Sequence, residues 1–217
     1  IKLLDFNRQN YDMVQAYTTI KEKEIENCKN DPLFNQIPIT SAKRKIATIT
    51  KLPTGKTDNA DRKFEDNTCQ LITSLVYPHL DFAQEQSRTE SGVQIRDLIF
   101  YNNKSSDFLQ EIYETYNCKQ IVMELKNVKE VKQEHILQLN RYLKDQFGNF
   151  GIIVTRNPIP KKVTKNIIDL WSAHRKCILV LDDTDLKMMT QVFECKQRNP
   201  IEVIKKKYVE FTRNCPS

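Results

Sequence analysis

The chain has 217 residues, 39% hydrophobic and 29% charged, with 34 basic against 28 acidic side chains and a net charge of +6. It is long enough for one ordinary domain, or a domain with an extension. No apolar run approaches the roughly 18–20 residues of a membrane helix, and the N-terminus lacks a secretory signal pattern, so a cytoplasmic protein with no membrane partner is expected.

The six cysteines form no C-x-x-C pair and none of the three histidines is spaced i, i+4. Reduced, mostly buried thiols are therefore expected, and a His/Cys zinc site is not. The positive charge suits a polyanionic partner without requiring one. A chain that opens on Ile1 also leaves room for a fused or partner domain, or a homodimer.

In chain order, Met13, Val14, Tyr17, Ile20 and Ile25 recur near helical spacing within residues 7–27 and predict an amphipathic helix flanking the core. Residues 30–41 carry two prolines and read as an irregular connection, and "KIATITKL" (45–52) reads as a short strand. A polar stretch, 53–62, closes an N-terminal extension of residues 1–60; residues 61–217 are expected to form the main α/β domain around a mixed central sheet. There Phe64, Thr68, Leu71, Ile72 and Leu75 mark a helix ending before Pro78. "LDFAQEQS" (80–87) and "VQIRDLIFY" (93–101) alternate as two strands around a turn containing Gly92, and residues 106–117 read as a helix capped by Ser106 or Asp107. A buried strand follows at "CKQIVMELK", then a helix over about 130–146, a strand at 150–156 and a helix after Pro160. A strand at 177–182, a helix capped near Asp183 and a last helix over about 200–212 complete the chain.

The end of the strand in "IVMELK" carries two charges where the run before it is apolar. Side chains two apart on a strand share a face, so Glu124 and Lys126 lie side by side while Leu125 turns away. Desolvating them is costly unless they are paired, wetted or metal-bound. E-x-K alone is uninformative: it recurs at 130–132 and 194–196, in segments read as exposed helix. The first copy differs in following a strand, and in having Asp97 upstream, embedded in the apolar strand "VQIRDLIF". One carboxylate from each of two neighbouring strands is a geometry that holds a hard divalent cation.

These residues resemble the PD-(D/E)xK, restriction-endonuclease-like nuclease superfamily, with Asp97 on one strand and Glu124-Leu125-Lys126 on the next. The order of elements over residues 61–156 is similar to its α-β-β-β-α-β core. "QLNRY" (138–142) looks like the Q-x-x-x-Y motif of the RecB-like and lambda-exonuclease-like branches, and Glu65 matches an acid often found on the first helix. Arg96 stands where the eponymous proline would be. The resemblance covers about half the chain. It implies a Mg²⁺ (or Mn²⁺)-dependent deoxyribonuclease in which Asp97, Glu124 and the Leu125 carbonyl hold the metal and Lys126 orients the attacking water or neutralises transition-state charge. It further implies that Glu65 reaches the metal shell through water, and that Gln138 and Tyr142 steady the site or contact DNA. Arg96, Arg156, Lys161 and Lys162 are the candidate phosphate contacts.

Plainer readings stand beside these. Asp97 and Lys126 also fit a structural ion pair, Glu65 a favourable acid in a first helical turn, and Gln138 and Tyr142 a half-buried helix face. Loop lysines and the run 205–207 fit a solvated surface. Two other functions compete: a catalytically silent member of the same fold that binds DNA or protein, and a P-loop ATPase built on "TKLPTGKT" (50–57) and "ILVLDDTD" (178–185). The second is poorly supported, because Thr50 occupies the position of the first glycine and Pro53 removes an N–H donor from the cradle. Asp182 and Asp183 are better read as helix caps.

Overall fold

The structure, a computed structural model, describes residues 6, 9–26, 37–88 and 95–216; for residues 18, 22–26, 85–88, 95–97 and 146 it describes the backbone alone. In chain order the elements are α1 (Tyr11–Glu26), α2 (Ile39–Lys51), α3 (Ala60–Val76), β1 (Leu80–Arg88), β2 (Ile95–Asn102), α4 (Asp107–Tyr116) and β3 (Gln120–Lys126). They continue with α5 (Gln133–Tyr142), β4 (Phe150–Thr155), α6 (Lys161–His174), β5 (Cys177–Leu181), α7 (Asp183–Cys195) and α8 (Ile201–Asn214).

The five strands lie side by side in sequence order. β1, β2 and β3 pair antiparallel, while β3, β4 and β5 pair parallel, so the α/β fold is built on a mixed sheet. Strand alternation divides the core in two. Leu98, Phe100, Ile121, Met123, Leu125, Ile152 and Leu179 face a large cluster completed by α2, α3, α7 and α8. Ile99, Val122, Ile153 and Ile178 face a smaller one completed by α5 and α6. The continuous apolar runs of β3 and β4 are therefore covered on both sides.

The expected strand at 45–52 is helical. In α2 the buried apolar residues are Ala42, Ile46 and Ile49, spaced four and three apart, the period of a helix face. Because these side chains enter the larger cluster, the core begins inside the stretch expected as an extension. The expected helix at 7–27 is present as α1, but it does not flank the core through the residues that suggested it: Met13, Val14, Tyr17 and Ile20 are all exposed. The second E-x-K copy, 130–132, lies in the connection before α5 rather than in a helix. Residues 30–36 of the expected connection, the turn at Gly92 and Cys28 fall outside the described residues. Cys69, Cys118 and Cys177 are buried free thiols, Cys195 is exposed and Cys215 is half-buried. Burial pushes the Cys118 thiol up to about 12.

Candidate active site

Glu124 is 0% exposed, although it is two residues from the solvent end of β3. Its Oε1 accepts hydrogen bonds from Lys126 Nζ at 2.7 Å and from Gln138 Nε2. The local sequence explains the meeting. Glu124 and Lys126 share the face of β3 that α5 covers, and α5 docks there through Ile136 and Leu139, whose burial leaves Gln138 aimed at the carboxylate. The Lys126 side chain keeps 18% of its surface in solvent. A buried carboxylate is thus matched by an ammonium at the boundary, the arrangement that makes burial of a charge tolerable.

Asp97 occupies the adjacent strand. The β2–β3 register pairs Leu98 with Met123, and one further step in that register brings the backbone of Asp97 level with Glu124. Leu125 turns its side chain into the other cluster, as strand alternation requires. Among the described residues no group of three His, Cys, Asp or Glu side chains gathers as a metal site, and the Asp97 side chain is not among those described. The described donors at this strand end, the Glu124 carboxylate and the Leu125 carbonyl, are oxygen ligands of the kind hard divalent cations take. On donor chemistry, Mg²⁺ or Mn²⁺ fits.

His135, in the first turn of α5, is a member of this constellation that spacing alone did not reveal. It stands three residues before Gln138, on the same helical face. Its Nδ1 accepts the Lys132 N–H at 3.0 Å, which leaves the proton on Nε2 when the ring is neutral. Burial, and next the charge of Lys126, hold its pKa below the ordinary 6.5; Lys132 adds to this and Glu134 opposes it. The available signal was a histidine one turn before the glutamine, on the helix that follows the E-x-K strand.

The remaining expected residues lie on the surrounding elements. Tyr142 is 4% exposed within the α5-side cluster. Glu65 is half-buried on α3, a helix of the opposite layer. Lys161 and Lys162 are exposed on the first turn of α6, and the Arg96 side chain is not among those described. Arg156 is not an exposed phosphate contact. It is 7% exposed, its Nε donates to both carboxylate oxygens of Asp183 at 3.2 and 3.1 Å, and its Nη1 donates to Leu52 O at 2.8 Å and Asn127 Oδ1 at 3.0 Å. Burial raises the pKa of Asp183, and the Arg156 charge opposes that rise. Being the first residue after a buried strand drew this arginine inward, where one cation ties together β3, α7 and the end of α2.

No protein-family model matches the chain. Over an alignment of 116 residues the chain is similar to one curated protein. It is 31% identical to a putative transposon gamma-delta 80.3 kDa protein of Escherichia coli (strain K12), over 51% of this chain. The match spans only 16% of that relative's length.

The segment that imitates a P-loop is committed elsewhere. Thr50 and Lys51 close α2, and the Gly55 N–H donates to Asn127 O at 2.8 Å, so this amide is not held open for a phosphate. Asp182 is the N-cap of α7, accepting from Thr184 N at 2.7 Å and Asp185 N at 3.2 Å. No helix among the described residues is long and apolar enough to cross a membrane.

Proposed function

We propose that the chain carries a restriction-endonuclease-like core of the PD-(D/E)xK type and is a metal-dependent nuclease that hydrolyses DNA phosphodiester bonds. The observation that carries this reading is the convergence of Glu124, Lys126 and Gln138 at the end of β3, with Asp97 level with Glu124 on β2. The order α3-β1-β2-β3-α5-β4, with α4 inserted before β3, supports the same core. DNA as the substrate is supported by the net charge of +6 and by a relative named for a transposon.

In this reading Glu124, Asp97 and the Leu125 carbonyl hold Mg²⁺ or Mn²⁺, which when bound polarises the phosphate and lowers the pKa of water. Gln138 fixes the Glu124 carboxylate, so the ligand is oriented before substrate arrives. Lys126, anchored at 2.7 Å on Glu124 and partly in solvent, offers its remaining N–H groups to the negative charge that builds on the phosphoryl oxygens.

A second reading rests on the same contact: a silent nuclease-fold module that binds DNA, in which Lys126 and Gln138 serve only to satisfy the buried Glu124. Incubation of the protein with linear, nicked and circular DNA, with Mg²⁺, Mn²⁺ or EDTA, separates the two. The nuclease reading expects cleavage that EDTA abolishes and that Glu124→Gln lowers by about 10²-fold or more, with circular dichroism unchanged. DNA binding without cleavage under either metal overturns it in favour of the silent module.

A further inference from the structure

Beside the catalytic strand lies a loop fastened more firmly than its exposure warrants. Leu52–Lys56 joins α2 to the turn before α3, and Pro53, Thr54 and Lys56 are exposed. Its backbone is nevertheless held at three successive points. Arg156 Nη1 donates to Leu52 O at 2.8 Å, Asn127 Nδ2 donates to Pro53 O at 3.0 Å and Gly55 O at 2.9 Å, and the Gly55 N–H donates to Asn127 O at 2.8 Å. Both clamping side chains are buried, Asn127 at 6% and Arg156 at 7% exposure, and Arg156 also donates to the Asn127 amide oxygen. Every hydrogen-bonding atom of the Asn127 side chain is thereby engaged.

Asn127 follows Lys126 directly, so the clamp fastens the loop to the β3 end that carries the candidate site, from the α2/α3 side of the sheet rather than the α5 side that Glu124 and Lys126 face. Gly55 takes φ of +96°, the left-handed half of backbone space that favours glycine, and a Cβ there would meet nothing within 4 Å. The glycine therefore serves the shape of the loop rather than its packing. Its effect is to turn the chain so that Lys56 follows in the αR region with its side chain in solvent. A lysine whose backbone is already fixed loses less freedom on gripping a ligand than one on a slack loop.

We propose that Lys56 is a DNA-backbone contact of the site, gripping a phosphate next to the scissile one, and that Asn127 is the positioning residue that holds it there. The ligand class is the phosphodiester backbone of DNA, contacted by point charge and without sequence preference. The inference rests on the nuclease reading for its substrate, but its test is binding, which does not need cleavage.

The experiment is fluorescence anisotropy of a labelled duplex in Ca²⁺, over a series of salt concentrations, for the wild type and four variants. Lys56→Ala is expected to weaken binding several-fold and to reduce the slope of log affinity against log salt by about one phosphate contact. Asn127→Ala should produce the same loss although Lys56 is intact, and the double variant should show no further loss, because the two act as one unit. Lys119→Ala, an exposed lysine at the opposite end of β3, should bind like the wild type. Should Asn127→Ala fail to fold, Lys56→Glu carries the test, with a larger loss expected. In the cleavage assay Lys56→Ala should raise KM and leave kcat in place, whereas Lys126→Ala should lose kcat.

Wild-type affinity and salt slope for Lys56→Ala overturn this inference even if the protein cleaves DNA. A binding loss for Lys56→Ala in a protein that never cleaves upholds Lys56 as a DNA-backbone contact, but removes the nuclease reading and with it the placement beside a scissile phosphate. A wild type that binds no DNA overturns both.

Discussion

His135 and Glu124 meet the same face of β3 under opposite electrostatic demands. The carboxylate accepts from both Lys126 and Gln138. Burial, and next the same Lys126 charge, lower the pKa of the imidazole. The sign of its effect on stability follows from linkage. Below about pH 6.5 the unfolded chain takes up a proton on this histidine that the folded chain resists, so the contribution is fully present above that pH and is lost as pH falls through the window beneath it. His135→Gln removes the titration while leaving a polar side chain. Urea unfolding between pH 8 and about pH 5 should show the wild type losing stability on the acid side more steeply than the variant, with the two curves parallel above pH 7. Identical acid limbs would mean that this ring titrates as it does in the unfolded chain. Of these residues, Glu124 and Lys126 were readable from the strand they end, and Gln138 from the helix after it. His135 was not legible because a single histidine on a helix carries no spacing signal, and the Lys126 charge that acts on it comes from another element.

At the scale of elements, the strands were legible where apolar alternation and turn residues agreed, as in β1 and β2, or where a short apolar run was bounded by polar residues, as in β3, β4 and β5. The α2 segment shows where such reading fails. Ile46, Thr48 and Thr50 alternate with Ala47 and Ile49, so β-branched residues imitate a strand, while the burial of Ala42, Ile46 and Ile49 follows a helix face that a window starting at residue 45 cuts in half. The pairing of Asn102 with α4 was equally invisible, since nothing local identifies its partners. Asn102 is 1% exposed; its Nδ2 donates to Leu109 O at 3.0 Å and Cys118 O at 3.2 Å, and its Oδ1 accepts the Lys104 N–H at 3.0 Å. One amide thus closes the β2–α4 connection and fastens α4 to the start of β3. Asn102→Ala removes these three hydrogen bonds from a buried site, and a loss of about 1–3 kcal/mol is expected in urea unfolding. A loss under about 0.5 kcal/mol, the level of an ordinary surface substitution, would show that water takes over these bonds without penalty.

Taken whole, the molecule separates a core from an appendage at a different place from the one composition suggested. The polar stretch 53–62 resembled a linker, but α2 before it buries three side chains in the larger cluster, and Asn127 and Arg156 bind the intervening loop to the sheet. The appendage is α1. Its described apolar side chains Tyr11, Met13, Val14, Tyr17 and Ile20 are all exposed, from 42% at Val14 to 68% at Met13. Full burial of such side chains contributes about 1.5–3 kcal/mol each, so a helix that docked this face would carry several kcal/mol, and one that leaves it in water carries almost none. A chain beginning at Asn27 should therefore unfold as cooperatively as the full chain, with stability changed by less than about 1 kcal/mol at equal urea m-value per residue. It should also keep the Lys56-dependent DNA affinity, because the loop, its clamp and the β3 end all lie within residues 37–217. If removal of residues 1–26 instead costs more than about 3 kcal/mol, the exposed face of α1 is covered in solution by the rest of the protein, and the helix belongs to the core after all.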